Sequence, residues 1–280
     1  MTSILRCPVC HAQLVLESRT AACGQGHSFD VARQGYVNLL LPDKRRSLEP
    51  GDSPDMMRSR RAFLRAGFYD QVASAAGAAL AEAIAGREQA RVADLGCGEG
   101  FFLSQVKGAL PGGDSGLHDC YGVDISRTGI RLATDYDRAV TWIVASIHNS
   151  PFLPQSLDAI LSMWAPVAQD DLRRIVREDG CVVTVTSGPD HLDALRALIY
   201  ASVEPHAAAP LAGSPHFERS GSSRVRYPIA LRSREQIMHL LAMTPYYWNI
   251  SLETKARVEA VSELELTVDA QIEVFRPRRR

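Results

Sequence analysis

Nine residues constrain this chain more than any others: Val92-Ala93-Asp94-Leu95-Gly96-Cys97-Gly98-Glu99-Gly100. An apolar run, an acid and three alternating glycines predict a buried strand that turns sharply into a helix. Glycine reaches positive φ without a Cβ clash and lets a ligand approach the backbone closely. After an intervening helical stretch comes Tyr121-Gly122-Val123-Asp124, a second strand ending in an acid. In doubly wound sheets such an acid reaches the ribose hydroxyls of a bound nucleoside. The competing reading is an ordinary strand–helix turn.

Downstream, strands are expected near 91–95, 120–124, 140–144, 157–163 and 180–186, and helices near 98–109, 126–136, 169–177 and 190–203. This alternation predicts a mostly parallel sheet covered on both faces, with ligands at the carboxyl ends of the strands. Leu264, Leu266, Val268, Ala270, Ile272 and Val274 alternate with polar residues, which predicts a half-exposed, antiparallel final strand. The loop from Pro111 to Asp119 reads as exposed and unimportant, and the polar stretch from His206 to Ser223 as a mobile connection over the substrate. Ser53-Pro54 starts a helix that Gly67 closes, and Ser233 with Gln236 forms a capping box for another.

The first forty residues have a different logic. Cys7-Pro8-Val9-Cys10 is followed after twelve residues by Cys23 and His27. Two close pairs of thiolate and imidazole ligands suit a closed, tetrahedral and therefore structural zinc site. Short strands at Leu14-Val15-Leu16 and Thr20-Ala21-Ala22 would link the pairs. So small a segment buries too little apolar surface to fold alone, a deficit that metal binding offsets. Cys97, Cys120 and Cys181 read as small buried hydrophobes. The organisation expected is a zinc-binding module at 1–40, a linker with helices at 41–90 and the sheet domain at 91–280.

The formal net charge of -1 gives no global nucleic-acid signal. Basic residues cluster at Lys44-Arg45-Arg46, at Arg58-Ser59-Arg60-Arg61 and from Arg276 to Arg280. Such runs are more often solvated than functional, although the Arg-rich helix suits phosphate contact. No apolar run is long enough to span a bilayer and no signal-peptide pattern opens the chain, so a cytoplasmic location without membrane contact is expected.

Asp94-Leu95-Gly96-Cys97-Gly98-Glu99-Gly100 resembles motif I of the class I S-adenosylmethionine (SAM) methyltransferases, which have a Rossmann-like, mostly parallel seven-stranded sheet. Joined to the Cys/His pattern, Gly35-Tyr36-Val37-Asn38-Leu39-Leu40, Pro50-Gly51-Asp52-Ser53 and Arg60-Arg61-Ala62-Phe63-Leu64, it resembles the RlmA type of 23S ribosomal RNA guanine-N1 methyltransferases over nearly the whole chain. The resemblance implies two cofactors, SAM and a structural Zn2+, and a 23S rRNA hairpin as partner, with the zinc module helping to hold RNA; relatives suggest a homodimer. It places Tyr69 of Gly67-Phe68-Tyr69 and His191 of Gly188-Pro189-Asp190-His191-Leu192 beside SAM. Asp94, Gly96, Gly98, Glu99, Gly100 and Asp124 complete the expected donor site. Relatives carry an acid after the third strand for the adenine amino group, where this chain offers Ser146 and Asn149. The loop Met163-Trp164-Ala165-Pro166 would face the acceptor; Trp164 either stacks on a flipped base or packs under the sheet edge. Trp164 and His191 are the catalytic candidates. No general base stands out, His148, His191 and Asp190 being candidates by location only. Two other readings stay open: a small-molecule SAM methyltransferase with a structural zinc site, and a non-catalytic RNA-binding protein.

Overall fold

The computed structural model describes residues 3–41, 52–112, 117–200, 206, 209–248 and 250–279. Lys44-Arg45-Arg46 lies outside them, as do Pro50 and Gly51. The chain begins with Leu14–Leu16 (β1), Thr20–Cys23 (β2) and Ser28–Asp30 (β3), a small antiparallel sheet. Val37–Asn38 (β4) follows, then the helices Pro54–Arg65 (α1) and Asp70–Ala83 (α2). The alternating region is Arg91–Leu95 (β5), Phe101–Ala109 (α3), Asp119–Asp124 (β6), Arg127–Ala133 (α4), Thr141–Val144 (β7), Leu157–Met163 (β8), Gln169–Ile175 (α5), Val176–Ser187 (β9) and Asp193–Ile199 (α6). Phe217–Leu231 (β10), Arg234–Met243 (α7), Leu252–Glu259 (α8) and Leu264–Pro277 (β11) complete it.

The large sheet has the order β10-β11-β9-β8-β5-β6-β7-β4. Strands β4 to β9 run parallel, while β11 is antiparallel to both β9 and β10. The expected seven strands are therefore joined by an eighth. Val37 and Asn38 pair with Ile143 and Val144, so the chain leaving the small sheet caps the edge of the large one. Two residues of strand carry too little periodicity to be read locally.

The sheet divides the core. On one side Phe63, Leu64, Val72 and Leu80 pack with Val92, Trp142 and Val183. On the other, Leu5, Cys7, Leu14 and Cys23 share a cluster with Leu95, Ile143, Phe152 and Phe275. Backbone bonds reinforce that junction: Arg6 N–H donates to Pro151 O (2.9 Å), Leu153 N–H to Ile4 O (2.9 Å) and Leu39 N–H to Val144 O (2.9 Å).

Helix α1 is capped as expected, Ser53 Oγ accepting from Met56 N–H at 3.3 Å. Ser233 Oγ likewise accepts from Gln236 N–H (3.2 Å), but Gln236 Oε1 accepts from Arg232 N–H (2.7 Å), one residue before the box position. Three expectations are corrected. The polar stretch after His206 ends in strand, because β10 starts at Phe217 and its Ser, Gly and Arg residues pair with β11. Final strand β11 lies between β9 and β10, so its polar positions Asp269 and Glu273 are buried instead of facing solvent. In the loop before β6, His118 is buried: its Nδ1 accepts from Ala90 N–H (3.0 Å) and its Nε2 lies 2.8 Å from Pro111 O. No helix among the described residues is long and apolar enough to cross a membrane.

The middle of β6 shows why this packing tolerates little change. A Cβ on Gly122 would lie 2.3 Å from two ring carbons of buried Trp142. Gly122→Ala is expected to destabilise the fold by about 1–3 kcal/mol through overpacking, read as a lower urea midpoint at unchanged slope; an unshifted midpoint would contradict this packing.

Candidate donor and metal sites

The metal site comes first along the chain. The turn after Cys7 is closed by His11 N–H to Cys7 O (3.0 Å), and that after Cys23 by Gly26 N–H to Cys23 O (3.0 Å). These turns bring the ligand atoms of Cys7, Cys10, Cys23 and His27 within 4.8 Å of one another. Cys10 Sγ lies 3.6 Å from Cys23 Sγ, which lies 3.5 Å from His27 Nδ1. Ligands about 2.3 Å from a tetrahedral zinc are about 3.8 Å apart, so the four residues fit the ion. His11 stands outside the group.

The glycine loop follows β5. Gly96, Gly98 and Gly100 all have positive φ, at 87°, 57° and 89°. At Gly100 a Cβ would also meet Ala133 at 2.7 Å and Trp142 at 2.8 Å, so that position excludes any side chain twice over. Asp124, at the end of β6, ties the loop down: Gly98 N–H donates to its Oδ2 (2.8 Å) and Ser126 N–H to its Oδ1 (2.7 Å). Asp94 lies beneath, fully buried, with neither carboxylate oxygen partnered among the described residues. Burial, then the charge of Asp124, pushes its carboxyl up to about 8. Burial also raises Glu99, whose Oε2 has no partner among the described residues.

In front of the loop is a cavity of about 380 Å3. Gly96 and Glu99 line one wall, and Tyr69, Trp164 and His191 the other. The structure thus brings four expected donor-site residues, Tyr69, Gly96, Glu99 and His191, to one hollow with the catalytic candidate Trp164. Asp94, Gly98, Gly100 and Asp124 do not line it; they shape the loop behind. Tyr69 and Trp164 meet edge to face (5.5 Å, 65°), and Trp164 stacks on His191 (5.6 Å, 25°). Trp164 holds φ 49°, a strained value for a bulky side chain, fixed by its N–H to Val185 O (2.9 Å) and its Nε1–H to Ser187 Oγ (3.1 Å).

His191 has a defined state. Its Nδ1 accepts from Asp269 N–H (3.2 Å), so the neutral ring carries its proton on Nε2, 3.3 Å from Tyr69 Oη. Burial, then the neighbouring His206, lowers its pKa to about 4. Asp269 is held ionised by Arg224, which donates to both of its oxygens at 2.7 Å. His191 is therefore a neutral donor near pH 7. Of the other base candidates, Asp190 is tied to Arg224 and Arg226, and His148 is exposed.

Two sets of candidate residues have partners within the chain. Asn149 Oδ1 accepts from Arg6 Nη2, so it serves the junction with the N-terminal module; Ser146 Oγ accepts from His148 N–H (3.2 Å). Neither lines the cavity. The arginines of α1 are engaged within the chain: Arg60 with Asp52 (2.6 Å), Arg61 with Asp135 (3.0 Å) and Arg58 with Asp55. Arg60 and Leu64 of α1 also line the cavity; sequence reasoning missed Phe102, His206 and the Met243–Tyr246 segment among its walls. Only the aromatic richness of that last segment hinted at it.

Residues 5–48 match a family model for the N-terminal zinc ribbon of RlmA, and residues 93–181 a model for a methyltransferase domain. The 23S rRNA (guanine(748)-N(1))-methyltransferase of Streptomyces fradiae is 33% identical over 98% of this chain and 96% of its own. A relative from Micromonospora griseorubida, whose provisional name places it in the same class, is 33% identical over 98% of this chain and 97% of its own.

Asp94 provides a test with a definite sign. Its folded pKa of about 8 lies above the roughly 3.9 of an unfolded Asp. The stability that the bound proton contributes is complete below about pH 4 and is lost as pH rises to about 8. Asp94→Asn cannot titrate, so its melting temperature relative to wild type is expected to climb between about pH 5 and pH 8. A difference that stays constant with pH would contradict the buried, unpartnered carboxyl.

Proposed function

The chain belongs to the family of 23S rRNA (guanine-N1)-methyltransferases, and from that premise we propose that it transfers the methyl group of SAM to N1 of a guanine in a 23S rRNA hairpin, with the zinc module helping to hold the RNA. The observation that carries this reading is the union, in one chain, of a fitted zinc cluster with a glycine loop that opens onto an aromatic-walled cavity.

SAM supplies an electrophilic methyl on a sulfonium. The residues around the cavity suit such a cation. Aromatic faces attract it at Tyr69 and Trp164, and the unpartnered Oε2 of Glu99 on the cavity wall, with the buried Asp94 carboxyl behind it, offers acids whose ionised form a bound cation would favour. Asp124 retains lone pairs for ribose hydroxyls, because a carboxylate has about four acceptor sites and the two backbone N–H groups occupy only part of them. Gly96, Gly98 and Gly100 let the nucleoside approach the backbone.

Guanine N1 is normally paired, so the base must leave its stack to react. Trp164, at the end of β8, offers the face on which it stacks. The Tyr69–His191 pair holds the Trp164 indole in place. His191, neutral with its proton on Nε2, positions these rings and takes no proton. Methyl transfer then draws mainly on alignment of N1 behind the methyl group: the N1–C bond forms as the S–C bond breaks, S-adenosylhomocysteine leaves, and the N1 proton passes to water. The homodimer and the cytoplasmic location remain part of this reading.

The test is methyl transfer from labelled SAM to unmodified 23S rRNA, with the product nucleotide mapped by mass spectrometry. A single N1-methylguanosine is expected. His191→Asn should lower the rate without changing the shape of the pH–rate profile between about pH 5.5 and 8, since His191 titrates near 4. No transfer to RNA where SAM binds, with transfer to a small molecule instead, would overturn the reading; loss of a pH limb in His191→Asn would overturn the role of His191.

A further inference from the structure

Beside the donor cavity is a second, larger hollow of about 740 Å3 that methyl transfer as described leaves unused. The two share Ser187 and His206 as common wall. Thr186, Gln271 and Glu273 of the sheet line it; Thr186 pairs with Gln271, and Glu273 with Thr184, which does not itself line the hollow, across β9 and β11. All four side chains point to the same face, because strand residues two apart do so.

Glu273 is the unusual member. It is 3% exposed, and its two oxygens differ. Oε1 accepts from Arg219 Nη1 at 2.8 Å; Oε2 is buried with no partner among the described residues. Thr184 Oγ1, on the paired residue, is also buried and unpartnered. Leaving such atoms without partners costs free energy that a fitted ligand would recover. Glu273 Oε2 therefore offers an acceptor beside the donor fork of Arg219.

That order of groups selects a ligand. Guanine presents O6, an acceptor, next to two donors, N1–H and N2–H2. Adenine and cytosine would each set a ring-nitrogen lone pair against the carboxylate, and uracil has a single donor. Depth separates this place from the reaction. Glu273 pairs three positions further into the sheet than Ala270, which faces Ser187 on the shared wall, a distance of about 10 Å at about 3.3 Å per residue. An edge clasped by Glu273 also cannot turn N1 towards a methyl donor.

We propose that this hollow binds a second, unreacting guanine of the RNA substrate by its Watson–Crick edge, Glu273 accepting from N1–H and N2–H2 and Arg219 donating to O6. Such a pocket sets the register of the hairpin and so decides which neighbouring guanine reaches Trp164. This proposal rests on the functional reading above, but its test does not require turnover.

Guanosine 5′-monophosphate is titrated into the full-length, zinc-loaded chain saturated with S-adenosylhomocysteine, which fills the donor cavity, and binding is followed by NMR. Inosine 5′-monophosphate, lacking N2–H2, is expected to bind about tenfold more weakly, as loss of a hydrogen bond to a charged group predicts. Glu273→Gln should abolish that discrimination without changing the melting temperature. Arg219→Met, at a side chain largely in solvent, should weaken guanosine monophosphate binding even where Glu273→Gln folds poorly. Equal affinity for the two nucleotides, no binding of either, or discrimination that survives in Glu273→Gln would overturn the proposal. Transfer to rRNA without nucleotide discrimination would fell this proposal alone; discrimination without transfer would fell the functional reading, and with it the register role, while leaving the hollow a guanine site.

Discussion

The carboxylate of Asp124 joins the loop after β5 to the start of α4, beside the backbone bonds from Gly96 and Cys97 to Val123 O. One oxygen takes the N–H of Gly98 from the loop after β5, and the other takes Ser126 N–H from the start of α4. Both N–H groups sit where helices begin and would otherwise lack partners. By fixing Gly98, Asp124 fixes the curvature of a loop whose glycines all lie in the left-handed region. That loop forms one side of the cavity, through Gly96 and Glu99. Burial raises both Asp124 and Asp94, and the charge of Asp124 raises Asp94 further, a tension that a cationic nucleoside at the loop would relieve.

The N-terminal module is built into the same frame. Leu5 bridges Phe152, Arg6 meets Asn149 and Ser150, and β4 extends the sheet beyond β7. Cys7 and Cys23, two of the four metal ligands, are buried in the cluster that holds Leu95 and Ile143. Ordering the Cys/His cluster therefore orders one face of the sheet, because packed interiors transmit displacement. A module joined this firmly keeps a fixed position relative to the donor cavity.

Local patterns made much of this legible. The zinc ligands lie in two short windows, the glycine loop in one, and each parallel strand is a compact apolar run between turns. What escaped depends on residues far apart in sequence. Tautomeric control of His191 comes from the backbone of Asp269, and the roof of the cavity from Met243 to Tyr246. The arginines of α1 carry the composition of a phosphate site, yet Asp52 and Asp135 turn Arg60 and Arg61 inward. Asp269 and Glu273 fall on the polar phase of an alternating strand, a pattern that means solvent only if the other face of the sheet is bare. Here α6 and the residues leading into β10 border that face.

The central claim is that a carboxylate at the end of the second parallel strand shapes and completes the donor site. Calorimetric titration of SAM into wild type and Asp124→Ala, with zinc content measured on both, tests it most directly. The account predicts that affinity falls by at least about tenfold, the scale of losing hydrogen bonds to a charged group, while one zinc per chain is retained. An isotherm indistinguishable from wild type would contradict it.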